Sequence, residues 1–344
     1  MRYFILLLVF ITFYGCQDQS QDFILDYSPY VERIDTVKFN LDGTGIDEIY
    51  NYLTLRSNGD TWIIYDRNHS NFAVFDSEYN FAGRFGGFGR GPGEFETFPG
   101  IYHSGNGNTY IYDRSNSKVI TYSNDSYKEV IVNITGVHDF AVDMDGNMLF
   151  YHLNTGSEHV LSLFNNKGEK IRDLFVPDDN NYKVFMGRFR HGNIQYKASV
   201  NKFYFMYPDK FDIYEVDPEG EITSTLSFAS QSKFKRDVNP FPGHLDPFRM
   251  DRVHWEYITT SYLPFRFYFL GENHILFESL EPIMEAEPPV IWERFYSLYT
   301  LDGQPVFEGL KFDFGEYFQA QQGLPDGSVV AIDDDILMRI LFKK

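Results

Sequence analysis

One cysteine, Cys16, stands in 344 residues, so no intramolecular disulfide can form and packing must hold the fold. Basic residues are scarce too. Thirty lysines and arginines face 49 aspartates and glutamates, and the formal net charge of -19 repels phosphate backbones and excludes nucleic acid as a general partner. The apolar run at the start, Tyr3 to Tyr14, has twelve residues and is too short to cross a bilayer as a permanent helix. None of the nine histidines falls into HxH or HxxxH spacing, so no zinc pattern is written in the chain. No GxSxG nucleophile setting occurs either. Aromatic residues, by contrast, are abundant at 18%, mostly phenylalanine and tyrosine. Such side chains suit a pleated, half-buried surface, so strands are the expected walls of a large core.

Internal repetition organises the chain. Six runs begin with a turn former and continue in β-branched, aromatic or aliphatic residues: Asp60-TWIIYD, Asn108-TYIYD, Asn147-MLFYH, Asn201-KFYFMY, Asn273-HILFES and Gly327-SVVAID. The flanks repeat as well. In the first unit Tyr52 to Ser57, Thr61 to Asp66, Asn71 to Asp76 and Phe81 to Phe85 make four strands; in the second Ile101 to His103, Thr109 to Asp113, Lys118 to Tyr122 and Lys128 to Asn133 do the same. Four-stranded antiparallel units recurring at roughly 40 to 50 residues predict an all-β fold, a six-bladed β-propeller. An open pair of β-sandwich sheets is the competing architecture. The sixth unit has three strands of its own, Tyr317 to Gln321, Ser328 to Asp333 and Ile336 to Phe342. Val31 to Phe39 is the expected N-terminal donor of its fourth strand, which would close the ring and remove exposed edges.

The start reads as a targeting segment. Arg2 precedes the apolar run, which ends at Gly15-Cys16, and this resembles a bacterial lipoprotein signal with Cys16 as the lipidated residue. Phe13 stands where such signals usually carry leucine, and an ordinary secretory signal is the other reading. The predicted division is a signal peptide over 1–15, a polar acidic tether over 16–30 and the propeller over 31–344. Two intervals break the period: 230–262, within which Asp246 to Tyr257 could form a short helix, and the proline-rich, acidic 281–292. Long insertions in a compact repeat either carry function or decorate it.

The segment Gly86 to Phe95, GGFGRGPGEF, is the sharpest local feature. It lacks GxGxxG spacing and a following Gly-Lys-Ser/Thr, so it is no phosphate cradle. Its portion GRGPGEF, followed by Phe98 and Pro99, resembles the six-bladed propeller lipoproteins common in Bacteroidetes, which are related to NHL-repeat propellers. That resemblance implies a fold and a cell-envelope location, lipid-anchored at the outer membrane, and no particular activity. From the residues alone, Gly91-Pro92-Gly93 forces a sharp crossover between blades, with Arg90 and Glu94 able to cap or pair there or to meet a ligand.

Segments entering a new blade supply the other binding candidates: His138, Asp139, Arg188, Arg190 and His191. Asp143 to Asn147 is a hairpin turn, since its glycine comes too early for an EF-hand. No metal ligand set or cofactor is predicted, although propellers can assemble a divalent-metal site from separate blades. Three roles stay open. The first is a non-catalytic module binding protein or glycan at the envelope, with the membrane reached through the lipid alone. The second is a metal-assisted hydrolase or lyase with its site at the channel mouth. The third is an assembly part of an envelope complex.

Overall fold

The computed structural model describes residues 26–42, 55–57, 60–66, 69–97, 100–103, 107–123, 126–153, 157–177, 192–207, 211–228, 263–283, 291–312, 318–333 and 336–343. Cys16, the signal segment, most of the tether, the interval 230–262 with its predicted helix, and Arg188, Arg190 and His191 lie outside the described residues.

The described strands form six antiparallel sheets of four. After β1 (Val31–Val37), blade one comprises β2 (Leu55–Ser57), β3 (Thr61–Asp66), β4 (Asn71–Asp76) and β5 (Phe81–Phe85). Blade two comprises β6 (Gly100–His103), β7 (Thr109–Asp113), β8 (Lys118–Ser123) and β9 (Ser126–Ile131). Blade three is β10 (Val137–Val142), β11 (Met148–His152), β12 (Leu161–Phe164) and β13 (Lys170–Leu174). Blade four is β14 (Asn193–Lys197), β15 (Lys202–Met206), β16 (Asp212–Val216) and β17 (Ile222–Ser227). Blade five is β18 (Leu263–Leu270), β19 (His274–Ile283), β20 (Ile291–Thr300) and β21 (Pro305–Leu310). Blade six holds β22 (Gln319–Gly323), β23 (Ser328–Asp333) and β24 (Ile336–Phe342) and takes β1 as its outer strand, Val37 opposite Leu337 and Val31 opposite Phe342. The N-terminal strand therefore closes the ring as the count of strands predicts.

Each blade's first strand is innermost and touches the first strand of the next, in the order β2, β6, β10, β14, β18, β22 and back to β2. Side-chain alternation explains why the second strands read as unbroken apolar runs. Trp62 and Ile64 of β3 pack toward blade six with Phe39, Val330 and Leu337, whereas Ile63 and Tyr65 pack toward blade two with Ile111, Ile120 and Tyr122. A strand buried on both faces needs apolar residues at every position. Outer strands pack on one side, so β9 and β17 are mostly exposed.

Two differences from the sequence reading have local causes. Both ends of the interval 281–292 are strand: Glu281, Pro282 and Ile283 of β19 pair with Glu293, Trp292 and Ile291 of β20. Pro282 lacks a donor, but the ladder continues through its neighbours, which leaves 284–290 between the strands and outside the described residues. The first strand of blade six runs over Gln319–Gly323, two residues beyond the predicted end at Gln321, and carries a bulge at Gln321; Tyr317 lies outside the described residues.

Candidate functional site at the channel end

Antiparallel order places all the blade-to-blade crossovers at the end of the ring where the innermost strands begin. Three of those strands carry a bulge near that start. The extra residues are His138 in β10, Phe265 in β18 and Gln321 in β22, each lying between two residues that oppose adjacent partners. A bulge re-aims a side chain out of the regular alternation and is a frequent companion of binding sites.

Side chains of one blade tie the inner strand of the next. Asp139 Oδ2 accepts the Ile194 amide at 3.1 Å. The Asn193 carboxamide donates to the Phe267 carbonyl at 2.9 Å and accepts its amide at 3.0 Å, as a peptide unit of a neighbouring strand would. Gln195 adds bonds to the Phe267 carbonyl and the Phe269 amide. Gln322 does the same across the seam from blade six to blade one, accepting the Ser57 amide at 2.7 Å and donating to its carbonyl. Inner strands would otherwise present unpaired backbone groups to their neighbours, and these side chains satisfy them. Preorganisation of the channel end follows.

Between blades five and six lies a charged node. Glu278 is 0% exposed, and its carboxylate is held by the Arg294 guanidinium and by the Tyr268 hydroxyl at 2.9 Å. Tyr268 is also 2.9 Å from the Ala320 carbonyl, and the Ala320 amide donates to the Tyr296 hydroxyl at 3.2 Å, so the node doubles as the seam to blade six. Burial, then the Glu278 charge, pushes the Tyr268 and Tyr296 phenols well above their ordinary range. Burial opposes the charge of Arg294, but Glu278 outweighs it and raises the guanidinium. Arg266, opposite Glu278 on the innermost strand, stands 4.7 Å over the Phe265 ring, and Arg294 stands 5.5 Å over the same ring.

Blade three holds a different node. His152 Nε2 is 2.8 Å from Ser162 Oγ, and Ser162 Oγ is 2.5 Å from Asp173 Oδ1. The single hydroxyl proton goes to the carboxylate, so His152 must donate from Nε2 and is neutral, with a bare Nδ1 buried in the blade. Burial lowers its pKa to about 4, with Asp173 acting in the opposite direction. The serine is bonded to the aspartate directly and is buried, so these three groups are structural rather than a nucleophilic triad.

The residues predicted from sequence fall in two places. His138 and Asp139 are neighbours at the start of β10, partly buried, with the His138 ring 5.9 Å from that of Tyr151. Arg90 and Glu94 lie in the crossover from blade one to blade two. Glu94 folds beneath that loop and accepts the Gly91 amide at 2.6 Å; a Cβ on Gly89 would come within 2.1 Å of its carboxylate, so a side chain there would displace Glu94 from this bond. Arg90 pairs with Glu96 and its side chain is 85% exposed. Phe95 plugs the loop into the core between blades one and two, and Gly93 takes a φ of 74° while its amide is held by Glu129. Asn193, Gln195, Arg266, Glu278 and Gln322 escaped the sequence reading. Their signal was a polar residue inside an apolar strand run, as in LPFRFYFL and HILFES.

Such a ring of six four-stranded blades defines the protein as a six-bladed β-propeller. A sequence profile described as a 6-bladed beta-propeller, DUF5128, matches residues 42–252, and the chain belongs to that family. An exported protein of Bacteroides fragilis has a similar structure, at 15% identity and a TM-score of 0.59, over 93% of this chain and 97% of that one. A DUF4221 member from Bacteroides vulgatus aligns at 11% identity and a TM-score of 0.58, over 90% and 98% of the two chains. A streptogramin B lyase aligns at 12% identity and a TM-score of 0.50, over 90% and 98%. These likenesses are of fold. No protein of curated function matches the sequence. Among the described residues no helix is long and apolar enough to cross a membrane, and no three His, Cys, Asp or Glu side chains group as metal ligands would.

Proposed function

We propose that this propeller is a non-catalytic binding module of the cell envelope, exported and anchored through a lipid on Cys16, that takes a protein or glycan ligand at the end of the channel where the innermost strands begin. The observation that carries the reading is the construction of that end. The innermost strands that lead away from it are tied to their neighbours by Asp139, Asn193, Gln195 and Gln322, and two partly buried polar side chains, His138 and Arg266, stand among them. A rigid rim with a few polar groups in an apolar surround is the usual composition of a ligand site. Fold alone assigns no chemistry.

The test has two arms. Cells fed an alkyne fatty acid should label the wild-type chain and leave Cys16→Ser unlabelled; equal labelling removes the anchor. The purified ring should bind on glycan or peptide arrays and release no product from what it binds. Chelator-sensitive turnover, lost on substituting residues of the channel end, would replace this reading with a metal-assisted hydrolase or lyase.

A further inference from the structure

Arg266 is the unusual cation of the channel end. It sits on the innermost strand, partly buried, in a chain whose net charge is -19. Removing a guanidinium from water costs several kcal/mol unless a carboxylate compensates it. Its neighbour Arg294 has such a partner in Glu278. For Arg266, no carboxylate among the described residues lies within the 4.0 Å of an ion pair. Glu278 and Asp139 act on it at longer range, and Tyr268 is its hydrogen-bond partner. A guanidinium carries five N–H donors in a planar fork, so one phenol leaves most of them unused. Glu278 and Asp139 balance the two guanidiniums in charge, and Arg266 is held in its charged form while its fork keeps donors to spare among the described residues.

We propose that Arg266, assisted by Arg294, binds the carboxylate of a small organic acid whose apolar or aromatic body lies along Phe265. The fork of a guanidinium matches two carboxylate oxygens, and an incoming carboxylate would accept from the donors that Tyr268 leaves over. Phe265, the bulged residue of β18, is 7% exposed and lies under both guanidiniums, so a small part of that ring is left for a flat apolar portion of the acid to meet. An acidic chain repels anions elsewhere, so the site would select them at this one recess. The assignment rests on the binding-module reading and names its ligand chemistry.

Benzoate and its neutral counterpart benzamide are the probes, titrated into the full folded domain by calorimetry, with acetate as the ligand lacking a ring. Benzoate should bind, acetate more weakly, and benzamide at least about tenfold more weakly, since a charge-assisted bond is lost. Arg266→Lys should weaken benzoate about tenfold and Arg266→Gln should abolish it. The Nε–H resonance of Arg266 in the unsubstituted protein, followed during the titration, gives a readout that does not depend on a variant folding. Equal binding of benzoate and benzamide, unchanged affinity in Arg266→Gln, or a static Arg266 resonance would overturn the assignment. Array ligands that bind the ring while benzoate does not would remove the carboxylate site and leave the binding module standing.

Discussion

Blades three and five both bury polar groups in otherwise apolar layers, but on opposite terms. In blade three the bonds run within the sheet, from β11 to β12 to β13, and the histidine is kept neutral with its Nδ1 left bare. In blade five the groups are ionised, span a seam between blades, and include a guanidinium on the innermost strand with no carboxylate in ion-pair contact among the described residues. A network whose one charge is paired with Lys170 on the sheet's outer strand costs less to keep than one whose ionised groups are buried across a seam. The contrast separates scaffold from site without reference to any known activity.

The most severe way to break the comparison is Glu278→Ala. It would strand Arg294 without its carboxylate and leave Tyr268 the Ala320 carbonyl alone, and a loss of about 3 to 5 kcal/mol is expected in denaturant unfolding. Glu278→Gln, which keeps shape and an acceptor, should lose less.

Blade three responds to acid instead. His152 takes up its proton near 6.5 in the unfolded chain and near 4 in the folded one. Stability from this group is therefore complete above pH 6.5 and declines as pH falls toward 4, by up to about 3 kcal/mol. Unfolding curves collected across that interval should lose this slope in His152→Leu. Asp66 and Asp113 act in a lower window: burial raises both pKa values, but hydrogen bonds, led by Arg84 for Asp66 and Asn116 for Asp113, lower them further. Their contribution is present above the unfolded value of 3.8 and is lost below it.

Ser162→Ala removes the bridge of the neutral node and leaves the Nε2–H of His152 buried, so a loss of about 1 to 3 kcal/mol is expected by the same measurement. The smallest effect belongs to the crossover loop. Glu94→Ala frees the Gly91 amide at a partly exposed site and should cost about 1 kcal/mol, with no change in the acid response of blade three.

The fold was legible because propeller blades write themselves twice into a sequence, as turn residues and as apolar runs. Strands β3, β4, β5, β7, β23 and β24 fall on the residues read from the chain, and the donor of the last strand does too. Register at bulges was not legible. An extra residue such as Gln321 changes no composition, and its placement depends on what the neighbouring blade offers. The site was harder for a related reason. His138 and Asp139 were reached by asking which segments enter a blade, but Asp139 turned out to hold the Ile194 amide. Arg266 and Glu278 sit in runs that read as core, and their importance lies in pairing across strands and seams, which no spacing along the chain encodes. In the conspicuous glycine-rich loop, Glu94 holds the Gly91 amide and Arg90 pairs with Glu96.

A crystal structure of the domain soaked in benzoate tests the central claim most directly. The contrast between the two nodes predicts a carboxylate seated on the Arg266 guanidinium, its ring along Phe265, with His152 unchanged. An Arg266 folded onto a carboxylate of the protein itself, with no ligand between them, would contradict it.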